Sequence, residues 1–170
     1  AALSQHNGAG KWPHYGNERW DSLGVELDPW RNGTGEPVLL PQRGIGPAGV
    51  AMPLTWAPSI LASMRSLGIK CRVRAHPGMQ AVCKPLEEDI GTAKYCVTWG
   101  SGAAIKALAM GVPVFHTFEK WIGAQAARHI KHLQFGPMMD DAARLEMFRR
   151  LAWAMWRVKE IESGEMFKTL

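Results

Sequence analysis

The amino-acid sequence predicts an α/β fold: a Rossmann-like parallel sheet of about four or five strands flanked by helices, with a long C-terminal amphipathic helix. Three observations predict it. Short apolar runs (EPVLL, IKCRV, KYCVT and VPVF) recur along the chain, as expected of strands covered on both faces. Segments of helical period lie between them, so strand and helix alternate over short connections. Three of these runs stop at a polar corner rich in glycine or proline, where a strand turns toward the next helix.

Taken in order, residues 1–36 hold Trp12, Trp20 and Trp30 among glycines and prolines and have little periodicity. They read as an irregular arm anchored by tryptophans, or as the end of a preceding N-terminal domain. Residues 37–170 then form a single Rossmann-like domain. Val38, Leu39 and Leu40 make a buried first strand that Pro41 ends, and the loop QRGIGPAGVAMP follows. TWAPSILASMRSLG spaces Ile60, Leu61, Met64 and Leu67 on one helical face, with Gly68 as its stop. IKCRVRAHPG is the second strand, CKPLEEDIGTA has helical potential, and KYCVTWG is the third strand. SGAAIKALAMG is a compact helix closed by Gly111, VPVFHTF the fourth strand, and KWIGAQAARHIKHL another helix. From Asp140 onward the tail reads as one long helix. Leu145, Phe148, Leu151, Ala152, Met155 and Val158 share a face, and Asp140 and Asp141 sit at the end where the helix dipole favours negative charge.

Composition narrows the function classes. A hydrophobic share of 46% with 21% charged residues is that of a folded globular chain. No run approaches 18 apolar residues, so no membrane span is expected, and the first twenty residues lack the layout of a secretion signal. The chain does not open with methionine, so it can be a piece of a longer protein. Cys71, Cys83 and Cys96 are odd in number and form no CxxC pair, which fits a reducing cytoplasm and argues against zinc. A net charge of +5 favours anionic partners: nucleotides, phosphates or nucleic acid. Nucleic acid is the less favoured, because the cations of FRRLAWAMWRVK are interleaved with core aromatics and form no continuous stripe.

The candidate site residues lie at the corners. Open α/β sheets bind ligands beyond the carboxyl ends of their strands, and three polar corners are expected there: Gln42-Arg43-Gly44, His76-Pro77-Gly78 and Gly100-Ser101-Gly102. Gly-Ser-Gly at a helix start leaves backbone N–H groups pointing outward with a hydroxyl beside them, the outline of a phosphate cradle. The same Ser101 can equally be a plain helix cap. Pro77 holds His76 extended, so its ring is aimed by the chain and can donate to a phosphate, with Arg74 adding a guanidinium. His76 packed in a turn and Arg72 and Arg74 on a solvated face are the plainer alternatives. Glu87, Glu88 and Asp89 form an acidic cluster that could contribute a carboxylate, though a solvated helix face is the favoured reading. His129 and His132, spaced for one helix face, lack the neighbours that would make a metal site, and His116 ends the fourth strand where it can face the same cleft.

The ordered set RVRAHPG, an acidic helical stretch, VTWGSGAAIKAL and GVPV resembles the C-terminal, donor-binding half of GT-B glycosyltransferases. It is most similar to the capsule-polysaccharide enzymes that transfer Kdo from CMP-Kdo and to the glycerophosphotransferases of teichoic acid synthesis. The resemblance covers about residues 37 to 116 and extends to small uncharacterised proteins of bacteria and phages. It implies that Arg74 and His76 hold the phosphate of a nucleotide-sugar donor, that Gly100, Ser101 and Gly102 line the same pocket, and that Gln42 and Arg43 border it. No metal or other cofactor is implied, and the acceptor and catalytic residues are left open. The chain departs from the Kdo-type pattern after Gln42: acidic positions there are held by Arg43, Gly44, Ile45 and Gly46, so no carboxylate stands ready as general base. A GT-B enzyme also needs a second Rossmann-like domain for its acceptor. The alternatives are therefore a glycosyltransferase donor domain, a non-catalytic nucleotide-binding or interaction module, and a protein that binds or modifies nucleic acid.

Overall fold

The computed structural model of the protein describes residues 15–79 and 84–169. Five parallel strands, β1 (Val38–Leu40), β2 (Arg72–Val73), β3 (Cys96–Thr98), β4 (Val114–His116) and β5 (Arg128–His129), form one sheet in the order β2-β1-β3-β4-β5. Leu40 lies opposite Thr98, and Thr98 opposite His116, so the three central strands end level with one another. Around the sheet lie α1 (Glu18–Ser22), α2 (Trp56–Ser66), α3 (Leu86–Ile90), α4 (Gly102–Ala109), α5 (Asp141–Ala154), α6 (Val158–Glu162) and α7 (Glu165–Thr169). The predicted Rossmann-like α/β class is the observed one.

The two-residue period of each strand divides the core into two layers. Val38, Leu40, Cys96 and Val114 pack with Ala104 and Leu108 of α4 and with Met147 and Phe148 of α5. Leu39, Val97 and Phe115 pack on the other side with Trp56 and Met64 of α2 and with Tyr95. Each fully buried large side chain contributes roughly 1.5–3 kcal/mol relative to exposure, which is why such short strands hold. Burial pushes the Cys96 thiol up to about 12, so this cysteine behaves as a small hydrophobe. Cys83 lies outside the described residues.

Three sequence expectations are corrected. KWIGAQAARHIKHL is no α-helix: 3-10 turns at Ile122–Ala126 and Ile130–Phe135 flank strand β5. Trp121, Ile122, Gly123, Ala126 and Ala127 are all buried, more than one helical face can cover, and β5 pairs with the otherwise open edge of β4. The C-terminal helix is present as α5, but it stops at Ala154 and does not run through the whole tail. Met155 is extended, and Met155 and Val158, read as core-facing, are exposed while Trp156 is buried instead. Leu67, placed on the apolar face of α2, lies beyond its last turn and is exposed.

Both crossover helices end as glycine predicts. Gly111 has φ +73°, its N–H bonds Leu108 O, and the next N–H, of Val112, bonds Ala107 O at 2.9 Å. A Cβ on Gly111 would land on the carbonyl of Pro29. Gly111→Ala is therefore expected to cost about 1–3 kcal/mol, from the positive φ and the lost approach together. A urea-midpoint change within 0.5 kcal/mol would contradict this close packing of the arm on α4.

The stretch before β1 is irregular apart from α1, yet it is fastened. Arg19 donates to Ala152 O at 2.6 Å and Met155 O at 2.9 Å, forms an ion pair with Glu160 at 2.8 Å, and lies 3.9 Å over the Trp156 ring. These bonds occupy the carbonyls where α5 stops, giving a physical reason for the break. Trp20 packs on Phe148, and Trp153 donates to Gly16 O. Buried Arg144 donates to Asp28 O and Leu108 O and lies over Trp30. Trp20 and Trp30 thus anchor the arm as expected; Trp12 lies outside the described residues.

Candidate functional site

In this strand order the connections diverge between β1 and β3. The chain leaves β1 for α2, on the Leu39 side of the sheet, and leaves β3 for α4, on the Val38 side. Such a switch point leaves a crevice at the carboxyl edge, the favoured ligand position of open α/β sheets. A cavity of about 310 Å³ lies there. Its walls are Leu40–Gln42 from the end of β1, Arg74–Pro77 from the end of β2, and Ser101–Ala103 from the start of α4. Of the residues singled out in the sequence, Gln42, Arg74, His76, Ser101 and Gly102 line this one space.

The third corner is built on a hydroxyl pair. Ser101 caps α4, its Oγ accepting the Ala104 N–H at 3.2 Å, and lies 3.1 Å from Thr98 Oγ1. Thr98 Oγ1 also accepts the Ser101 N–H at 3.1 Å. The capping reading of Ser101 is therefore correct, and the residue lines the cavity as well. Gly102 begins the helix with no atom within 4 Å of where a Cβ would stand, so the α4 N-terminus opens to the cavity through bare backbone. Gly100 is different. It is buried under the Trp121 ring, which a Cβ would strike, and serves through its carbonyl, which accepts from Gln42 Nε2 at 3.2 Å.

At the second corner His76 Nδ1 accepts the Gly78 N–H at 3.0 Å, so the neutral ring carries its proton on Nε2. Arg43 does not line the cavity, but its side chain packs over Gly78 beside His76. Arg74 lines the cavity with its guanidinium already engaged, on Asp89 and on Lys84 O at 2.8 Å. Arg72 reaches the same Asp89 at 2.8 Å. Two guanidiniums share one carboxylate, which leaves net positive charge on this wall. Burial pushes the Asp89 carboxyl upward, but the hydrogen bonds from Arg72 and Arg74 outweigh it and hold the group below the usual carboxylate range. Asp89 was read as part of a solvated face; the structure makes it the partner of both strand arginines.

His116 does not line this cavity. Its Nδ1 lies 3.2 Å from Phe118 O, and its ring packs against Trp121 and, at 5.3 Å, His129. His129 lies 3.1 Å through Nε2 from Thr117 O and accepts the Lys131 N–H at Nδ1. Burial first, then the neighbouring His129, lowers the His116 pKa to about 4. Since the folded pKa lies below the ordinary 6.5, the unfolded chain binds the proton more readily. Stability is then full above about pH 6.5 and falls as the pH drops toward 4, by up to about 3 kcal/mol. His129, also lowered by burial, acts in the same direction. His116→Phe is expected to flatten the unfolding free energy between pH 6.5 and 4; an unchanged slope would contradict it. Among the described residues no three His, Cys, Asp or Glu side chains gather as a metal ion would require, and no helix is long and apolar enough to cross a membrane.

Fold and cavity together define the class: a Rossmann-like α/β domain with a crevice at its switch point, polar and cationic on one wall and a helix N-terminus on the other. No protein-family model, curated protein or solved structure matches the chain.

Proposed function

We propose that this chain is a glycosyltransferase-like domain that binds the phosphate of a nucleotide-sugar donor at the carboxyl ends of its strands, in the cytoplasm. The observation that carries this reading is the convergence of Arg74 and His76, from the end of β2, and Ser101 and Gly102, from the start of α4, on one crevice at the switch point. The chemistry suits an anion. An Nε2–H, the charge of two arginines on one carboxylate, and the bare amides of α4 would stabilise a phosphate in the ground state and more so as a leaving group. These groups can neutralise a departing nucleotide without a metal ion. The likeness of RVRAHPG and VTWGSGAA to the donor-binding half of GT-B enzymes of capsule and teichoic acid synthesis supports the same assignment.

A second reading, a nucleotide-binding module without turnover, is favoured by one observation: no carboxylate is among the residues lining this cavity. Thermal unfolding with CMP, UDP and CMP-Kdo, each followed by assay of free sugar and nucleotide, tests both. A ligand at 100 times its dissociation constant adds about 2.7 kcal/mol of stability. His76→Ala is expected to weaken that ligand about 10- to 100-fold, the loss of one hydrogen bond to a charged group. Stabilisation by a nucleotide without release of sugar supports the module; equal stabilisation of wild type and His76→Ala removes His76 from the site.

A further inference from the structure

A second cavity, of about 500 Å³, opens on the same carboxyl edge, walled by Val50, Trp99, Phe118, Glu119 and Lys120. It and the phosphate crevice draw their walls from the same two backbone segments. Pro41 and Gln42 wall the crevice and Ala48–Val50 the second cavity; Ser101–Ala103 wall the crevice and Trp99 the second cavity. The segments are stitched together twice, by Gln42 Nε2–H to Gly100 O at 3.2 Å and by Trp99 Nε1–H to Val50 O at 2.9 Å. The segments shared by the two spaces are therefore held in place against each other. Trp99 and Ser101 are two residues apart, at most about 7 Å of chain, within the reach of a nucleoside 5′-phosphate.

The walls suit a flat heteroaromatic ring. Trp99 lies parallel to Phe118, with 10° between planes and 5.8 Å between centroids, and Trp56 meets it edge-on. Phe118, itself a wall of the cavity, and Trp56 hold the Trp99 ring, so the aromatic wall is preset. Glu119 and Lys120 are exposed at the rim and supply an acceptor and a donor for the edge of a base. We infer that the second cavity takes the nucleobase of a nucleoside 5′-phosphate whose phosphate occupies the first, a deepening that rests on the phosphate reading above.

Calorimetric titration of the whole chain with inorganic phosphate, ribose 5-phosphate, cytidine, CMP and GMP tests it. Nucleotides are expected to bind about 5- to 150-fold tighter than ribose 5-phosphate, the worth of one base against an aromatic wall. Ala48→Trp, at an exposed position on the wall, should fill the cavity and erase that difference while leaving affinity for inorganic phosphate unchanged; Trp99→Phe should reduce it part-way. Equal affinity for CMP, GMP and ribose 5-phosphate would overturn the base cavity and spare the phosphate site. Cytidine binding that Ala48→Trp abolishes, with no binding of phosphate or ribose 5-phosphate, would support the cavity and refute the phosphate reading. No binding of any of the five would overturn both.

Discussion

Gly102→Glu is expected to abolish stabilisation by phosphate, CMP and UDP while leaving the unliganded protein as stable as before, or slightly more so. Gly102 is exposed, begins α4 and has open space where a side chain would go, so the change strains nothing. A carboxylate in the first turn of a helix is worth about 0.3–1 kcal/mol through the dipole. The same carboxylate would occupy the amides that a phosphate needs and repel it at close range. Urea unfolding with and without ligand reads both effects. At 100 times the wild-type dissociation constant, an increment still of about 2.7 kcal/mol in a folded Gly102→Glu protein would refute the α4 N-terminus as part of the site. Simple loss of folding would contradict the open geometry at Gly102.

The second large effect is expected at Asp89. Its carboxylate holds Arg72 and Arg74, and the Arg74 side chain is 9% exposed. Asp89→Ala leaves a nearly buried guanidinium without its counter-charge, at a cost of about 3–5 kcal/mol. The opposite is expected of binding: Arg74, no longer held by a fixed anion, is drawn to a mobile one, and phosphate should bind about tenfold tighter. Because the Asp89 carboxyl is held below the usual range, its stabilisation is present above about pH 4 and lost as the pH falls further. The wild type should show that acid loss and Asp89→Ala should not. A stability change within 0.5 kcal/mol would demote the pair to a surface bridge, and weaker phosphate binding would mean that Asp89 positions Arg74 for the ligand.

Much of this arrangement was legible in the sequence, for identifiable reasons. The strands stood out because residues such as Val38, Leu39 and Leu40 must be apolar on both faces, and the corners because glycine and proline punctuate strand ends. His76 and Ser101 could be placed at one edge because parallel strands all point the same way. The misses were tertiary. Nothing local distinguishes Asp89 from Glu87 and Glu88; only the fold sets it under Arg72 and Arg74. Thr98 was one polar residue in an apolar run, and its bond to the Ser101 amide depends on the turn that follows. The tail failed because its period continues through Met155, while Arg19, distant in sequence, takes the carbonyls that end α5. Burial of Gly100 by Trp121 and the aromatic wall at Trp99 likewise come from loops that periodicity does not describe.

The fastening of the arm to the far end of the chain bears on synthesis. Arg19 finds its acceptors 133 to 141 residues further on, so nothing can receive it until most of the polypeptide has left the ribosome. The strands and the crevice can assemble beforehand, whereas the first-made part of the described chain is the last to lock. Once residues up to about 140 have emerged, the chain would carry the whole sheet but would leave Trp20 without its Phe148 contact, a ready target for chaperones that capture exposed aromatic side chains.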